Sequence, residues 1–113
     1  MKIALVASAG GHLTELLQLE ELWKQEEHFF VSDYRINAID LSKKEKVYFV
    51  LVPRRNIIRF LINFFESLKI FLKEKPDIVL STGADVAFAF CLIAKIFGKK
   101  VIFIESFAQI FKP

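Results

Sequence analysis

Residues 2–12 read KIALVASAGGH, and this stretch decides the fold. Positions 2–8 are apolar almost without interruption, where a strand with one wet face would alternate. They are expected to form a strand buried on both faces, as strands of parallel sheets are. Gly10 and Gly11 end the run and permit a sharp turn. From residue 12 to about residue 26, Leu13, Leu16, Leu17, Leu19, Leu22 and Trp23 recur at helical spacing, and Glu15 is expected in the first turn, where it favours the helix dipole.

Residues 77–85, DIVLSTGAD, repeat that plan: an apolar strand, a glycine-bearing turn, and then a helix over 86–97 that is apolar almost all round. Gly98 caps this helix and residues 99–105 form a fifth strand. Shorter strands are expected at 28–32 and at 47–52, the latter closed by Pro53 and Arg54. Between them YRINAIDLSKKEK is barely long enough for a parallel crossover. Residues 56–74 form the clearest helix, stopped by Pro76. On its wheel Phe60, Phe64, Leu68, Phe71 and their apolar neighbours fill an arc of roughly 160°, wider than the ~100° that covers one face of a sheet. Asn56, Arg59, Asn63, Glu66, Lys69 and Lys73 fill most of the remainder, so the Phe stripe is expected to be mainly core, with spare apolar surface at its edges. The alternation predicts an α/β fold: one Rossmann-like domain over residues 1–113, with an open parallel sheet of about five strands ordered 3-2-1-4-5 and helices on both faces.

Hydrophobic residues are 54% of the chain by a count that omits glycine, above the about 45–50% that average chains reach with glycine included. The excess lies largely in 13 Phe, which implies bulky apolar surface for a partner or a membrane. The net charge of +3 does not point to nucleic acid, because the basic residues are not interleaved with aromatics in one strip. Lys43, Lys44, Lys46, Arg54 and Arg55 instead crowd the two ends of the 47–52 strand, and Lys43, Lys44, Arg54 and Arg55 are the candidate membrane-facing set, suited to anionic headgroups. Cys91 has no second cysteine to pair with. No apolar run approaches the roughly 20 residues of a spanning helix, so the expected location is cytoplasmic and peripheral on the membrane's cytoplasmic face.

In such a sheet ligands bind beyond the carboxyl ends of the strands, where strand order reverses, here between the first and fourth. The groups delivered there are Ser8, Gly10, Gly11 and His12, then Ser81, Thr82, Gly83 and Asp85, then Glu105 and Ser106. Gly10 and Gly11 allow close backbone approach, and the helix start behind them offers N–H groups to a phosphate. His12 is the candidate base toward a sugar hydroxyl, and Glu105 the candidate to orient it or to hold acceptor hydroxyls. Thr82, Gly83, Asp85 and Ser106 complete the substrate- and phosphate-binding set, with Thr82 a plausible helix cap and Asp85 complementing the helix dipole. No metal-ligand cluster is legible.

SAGGHLTELLQL at residues 8–19 and DIVLSTGADVAFAFCLIAKIFGKKVIFIESFA at 77–108 resemble the oligosaccharide-biosynthesis family that recruits the catalytic subunit of the dolichol-pathway UDP-N-acetylglucosamine transferase. Bacterial relatives serve capsule and exopolysaccharide synthesis as galactosyltransferase enhancers. The GGH motif and the strand-four turn are also similar, more distantly, to the N-terminal half of the peptidoglycan UDP-N-acetylglucosamine transferase, a GT-B enzyme. The resemblance implies the acceptor-side, N-terminal half of a split GT-B glycosyltransferase. On that reading a donor-binding partner chain supplies most of the UDP-sugar site, the acceptor is lipid-linked, and this chain carries no cofactor of its own. By motif it assigns His12, Gly83 and Glu105 to the family's histidine, turn glycine and strand-five acid. Phe107, Ala108 and Gln109 stand where an arginine is common, Phe90 stands where a proline is, and family chains continue past Pro113, so the chain is expected to be truncated at its C-terminus relative to the family.

Two other readings compete. One is a membrane and partner scaffold that contributes no catalytic group. The other is an NAD-binding Rossmann protein, since Asp33 falls about 20 residues after the glycines, where a ribose-binding acid would lie, although SAGGHL lacks the GxGxxG spacing.

Overall fold

The computed structural model describes residues 1–83 and 85–104. Its elements are β1 (Lys2–Ala7), α1 (Gly11–Gln18), β2 (Glu27–Ser32), α2 (Ile36–Leu41), β3 (Val47–Phe49), α3 (Ile57–Glu74), β4 (Ile78–Gly83), α4 (Phe88–Ile96) and β5 (Lys100–Phe103), with 3-10 turns at Glu20–Leu22 and Asp85–Ala87. All strand pairs are parallel and the sheet order is β3-β2-β1-β4-β5, as the sequence implies. β1 is therefore central, and successive residues serve opposite cores. Ala4 and Val6 pack with Phe29, Val79, Phe71 and Phe90 under α3 and α4, whereas Ile3, Leu5 and Ala7 pack with Leu13, Leu16, Trp23 and Phe30 under α1. Both faces need apolar side chains, which is why β1 shows no alternation.

Several boundaries differ from the sequence expectation. α1 ends at Gln18 instead of near residue 26, because Leu16 O accepts from Leu19 N at 3.1 Å and from the Trp23 indole at 3.1 Å. A continuing helix would give that carbonyl to residue 20. Glu15 thus sits in the second turn of α1, not the first. The 34–46 crossover contains the short helix α2, and α4 begins at Phe88 after a 3-10 turn. β3 stops at Phe49, yet the chain beyond it still has partners for its backbone: Val50 N donates to Ser32 O at 2.9 Å, and side chains of α3 then take over. Glu66 accepts from Leu51 N at 2.8 Å, Asn63 donates to Leu51 O at 2.7 Å, and Arg59 Nε donates to Val52 O at 2.8 Å.

That demand rotates α3 away from the expected orientation. Asn63 and Ser67 are buried and hydrogen-bonded to each other at 3.2 Å, while Ile57, Ile58, Leu61, Ile62, Phe65 and Leu72 lie exposed. The Phe stripe is only partly core: Phe71 is buried, Phe60 and Phe64 are half-buried, and Phe65 faces out. The helix ends are conventional. Asn56 caps the start by accepting from Ile58 N at 2.9 Å and Arg59 N at 3.1 Å, and Lys75, left-handed at φ 51°, closes the end before Pro76.

At the opposite rim from the strand exits, the Glu74 side chain is 5% exposed and receives Lys2 Nζ at 3.0 Å, Lys46 Nζ at 3.1 Å and the Tyr48 hydroxyl. Burial pushes its carboxyl up, but the hydrogen bonds from Tyr48, Lys2 and Lys46 and the charge of Lys2 outweigh that and hold it at about 2 against an ordinary 4.5. Burial and the same contact push Tyr48 up to about 12. Because the folded value is the lower one, the contribution is whole above pH 4.5 and is lost as pH falls toward 2. It is worth at most about 3 kcal/mol. Urea unfolding should show Glu74→Gln less stable than the parent by about 1–3 kcal/mol at neutral pH, with more than half of the difference gone by about pH 3. A gap independent of pH would show that Glu74 is not the ionised centre of this contact.

Candidate functional site

The exits of β1 and β4 meet where strand order reverses, and the ladder between them is irregular there. Val6 stands opposite Ser81 but Ala7 opposite Gly83, so Thr82 is an extra residue on β4. Freed from the ladder, Thr82 does not cap a helix as its position suggested. Its Oγ1 donates to His12 O at 2.6 Å, and its carbonyl accepts from His12 Nδ1 at 3.0 Å. These two bonds clip the start of α1 to the end of β4.

The clip also fixes the tautomer of the ring. A carbonyl can only accept, so in the neutral ring the proton lies on Nδ1, and Nε2, which has no hydrogen-bond partner among the described residues, carries the lone pair. Glu15 Oε1 is 3.9 Å from Nδ1, beyond hydrogen-bond length. The ring lies over Gly83, 3.8 Å from where a Cβ would stand. Gly83 has φ +114°, and a Cβ there would also meet Phe103 at 3.1 Å. Gly10, at φ +94°, makes the other left-handed turn, whereas Gly11 has open space where a Cβ would be. The N–H groups of Gly11 and His12 have no hydrogen-bond partner among the described residues, since Leu13 N and Thr14 N already reach Ser8 O and Gly10 O.

Asp33 is not available as a ribose acid. It is 3% exposed, with one oxygen accepting from Ala9 N at 2.6 Å and the other from Arg35 Nε at 2.6 Å, and Arg35 also donates to Ala9 O. Asn37 adds a bond to Gly10 O at 3.3 Å. Asp33 and Arg35 therefore brace the glycine turn. Asp33, directly after the second strand, was visible in the sequence, but nothing there marked Arg35 as its partner. Beside this brace a cavity of about 470 Å³ is lined by Ser8, Arg35, Arg54, Arg59 and Asp85 among others.

Asp85 is exposed in the 3-10 turn before α4 and accepts from Arg54 N at 3.4 Å. It does not cap α4, whose N-cap is Ala87. The structure brings Gly10, Gly11, His12, Thr82, Gly83 and Asp85 to one rim, with Arg54 and Arg55 beyond β3. Lys43 and Lys44 precede β3, at its other end, and Lys43 pairs with Asp40 at 3.7 Å. Glu105 and Ser106 lie outside the described residues. Burial, against a smaller pull from Ser81, pushes the Cys91 thiol up to about 11, which leaves it protonated and unreactive at neutral pH.

No family model matches the sequence, and no curated relative does. Among solved structures, MurG of Acinetobacter baumannii superposes with a TM-score of 0.76 at 19% identity, over 93% of this chain and 35% of that one. The chain has the fold of one Rossmann-like half of a GT-B protein. The UDP-GlcNAc 2-epimerase of Methanocaldococcus jannaschii matches at TM-score 0.74 and 16% identity, over 92% of this chain and 31% of that one. S. aureus MnaA, in a structure with UDP, matches at 0.70 and 19%, over 97% and 32%. The chain thus spans about a third of the length of the structures it matches.

The two loop glycines make a paired test. Gly83→Ala should lower stability by about 1–3 kcal/mol, since it forces a Cβ into a left-handed residue against Phe103, while Gly11→Ala should stay within about 0.5 kcal/mol of the parent. Chemical denaturation of both variants checks this, and equal losses would mean that the turn at Gly83 is not as described.

Proposed function

We propose that this chain is the acceptor-binding, membrane-associated subunit of a two-component UDP-sugar glycosyltransferase in polysaccharide or lipid-linked oligosaccharide biosynthesis. His12 serves as the base toward the acceptor hydroxyl, and a partner chain holds most of the donor. The observation that carries this reading is the His12–Thr82 clip, which leaves one ring nitrogen able to accept a proton at the exit of the central strands of a GT-B half. The occupied state of Asp33 weighs against the dinucleotide reading.

The outer face of α3 supports the membrane contact. Ile57, Ile58, Leu61, Ile62, Phe65 and Leu72 are exposed there with Lys69 and Lys73, and Arg55 stands at the helix start. No helix among the described residues is long and apolar enough to cross a bilayer, so the contact supported is that of a helix lying on the surface. The same face would serve a scaffold without catalytic groups, and His12 separates the two readings.

Purified alone, the chain should transfer no sugar from any UDP-sugar and should gain activity only with a donor-binding chain. In the reconstituted pair His12→Ala should leave partner binding intact and lower turnover by about 10² to 10⁴. Transfer by the chain alone, or near-normal turnover of the variant at saturating acceptor, overturns the assignment, and the second result favours the scaffold. Sedimentation with vesicles should rise with anionic lipid, fall with salt, and weaken in Phe65→Ser and Arg55→Glu. Equal binding to neutral vesicles at all salt concentrations counts against the membrane face.

A further inference from the structure

Two hollows meet at the loop leaving β3. The cavity at the strand exits takes in Arg35, Arg54 and Arg59 with Asp33 and Asp85. A groove of about 610 Å³ runs between the starts of α3 and α4, walled by Pro53, Ile57, Phe60 and Phe88. Asp85 lines both, and the loop at residues 53–55 passes between them, with Arg54 in the cavity and Arg55 in the groove.

The positive charge in the cavity is only partly answered. Arg35 and Asp33 neutralise each other at 2.6 Å. Arg59 donates Nε to the neutral carbonyl of Val52, and its terminal nitrogens have no hydrogen-bond partner among the described residues. The Arg54 guanidinium likewise has none, for Asp85 meets Arg54 through the main-chain N–H. Arg54 and Arg55 both hold left-handed backbones, φ 50° and 56°, which side-chain-bearing residues adopt unfavourably and which recur at ligand clamps. Asp85 offsets one of these two charges, so the cavity keeps a net positive charge, and the two guanidinium groups, unpaired among the described residues, match the oxygens of a phosphate, which their planar forks bind two at a time.

A soluble phosphate would leave the apolar groove empty, and a plain hydrocarbon would leave the guanidinium groups unmatched. We propose that the two hollows are one site for a single-chain lipid bearing a phosphate or pyrophosphate: the phosphate lies on Arg54 and Arg59, and the start of the chain lies against Ile57, Phe60 and Phe88. This rests on the reading of the chain as an acceptor subunit, and it names how a lipid-linked acceptor is gripped. It also gives Arg54 an inward role instead of one among bilayer headgroups.

Equilibrium dialysis of the full chain, without partner, against geranylgeranyl pyrophosphate, geranylgeraniol and inorganic pyrophosphate tests it. The lipid pyrophosphate should bind at least about tenfold more tightly than either fragment. Arg54→Asn, which tolerates the left-handed backbone, should weaken that lipid about tenfold and leave the alcohol unchanged. Phe88→Ser, at an exposed position, should weaken both lipids and leave inorganic pyrophosphate unchanged. Thermal melts within a few degrees of the parent verify that both variants fold. Inorganic pyrophosphate or geranylgeraniol binding as tightly as the lipid pyrophosphate, or indifference to Arg54→Asn, overturns the site. Because binding is read without turnover, a chain that grips the lipid through Arg54 but supports no transfer even when combined with a donor-binding chain refutes the proposed function alone. His12-dependent transfer with lipid binding indifferent to Arg54 refutes this site alone.

Discussion

Glu74 carries a charge almost wholly out of water at the foot of the sheet, and the register of the central strands depends on what surrounds it. α3 must bring the chain from the β3 edge back across β1 before β4 can form, and Glu74 ends that crossing by gripping Lys2, Lys46 and Tyr48 at the starts of β1 and β3. Just beyond it Asp77 accepts from Lys2 N at 2.9 Å and donates its own N–H to Lys2 O at 2.8 Å. β1 and β4 therefore leave the same level together, with Ile3 opposite Ile78. At the far end Ala7 and Gly83 arrive side by side, and the one-residue irregularity turns Thr82 out toward His12. An interaction at the amino rim thus sets the alignment on which the carboxyl rim relies.

The loop after β3 imposes a second constraint. Its backbone leaves the sheet after Val50 and needs partners that no neighbouring strand supplies, so Arg59, Asn63 and Glu66 of α3 turn inward to provide them. Two consequences share this cause. The guanidinium of Arg59 is drawn to the strand exits and helps to line the cavity there, and the apolar residues that would otherwise have faced the sheet are left on the outside. The polar site and the apolar outer face are thus two sides of one helix rotation.

Much of this was legible in the sequence for a simple physical reason. Unbroken apolar strands separated by glycine turns admit few arrangements besides a parallel sheet, and parallel crossovers fix its order. The strand ends then place Gly10, His12, Thr82 and Gly83 together from the sequence alone. What the sequence did not carry was rotation and pairing. The wheel of α3 found an apolar arc wider than one face needs, but which side faces inward depends on hydrogen bonds to residues 51–52, distant in sequence. Thr82 read as a cap because threonine before a helix usually is one, and only the extra residue in the β1–β4 ladder shows it serving His12 instead. Arg35 was invisible because its role rests on a carboxylate two residues away and a glycine turn 25 residues earlier.

The manner in which His12 is held bears on how it can act. Many histidine bases are oriented by a carboxylate, which fixes the tautomer and also stabilises the protonated ring. Here the orienting group is a neutral main-chain carbonyl, and Glu15 stands too far for a hydrogen bond. The clip therefore supplies direction through a neutral partner. A ring held in this way depends on its placement, and placement needs rigid support. The support is on hand: Thr82 is anchored to His12 by its hydroxyl as well as its carbonyl, and the glycine turn is braced by Asp33 and Arg35. A rim built this way holds the His12 ring in position by itself, which is what the proposed role toward an acceptor hydroxyl would require.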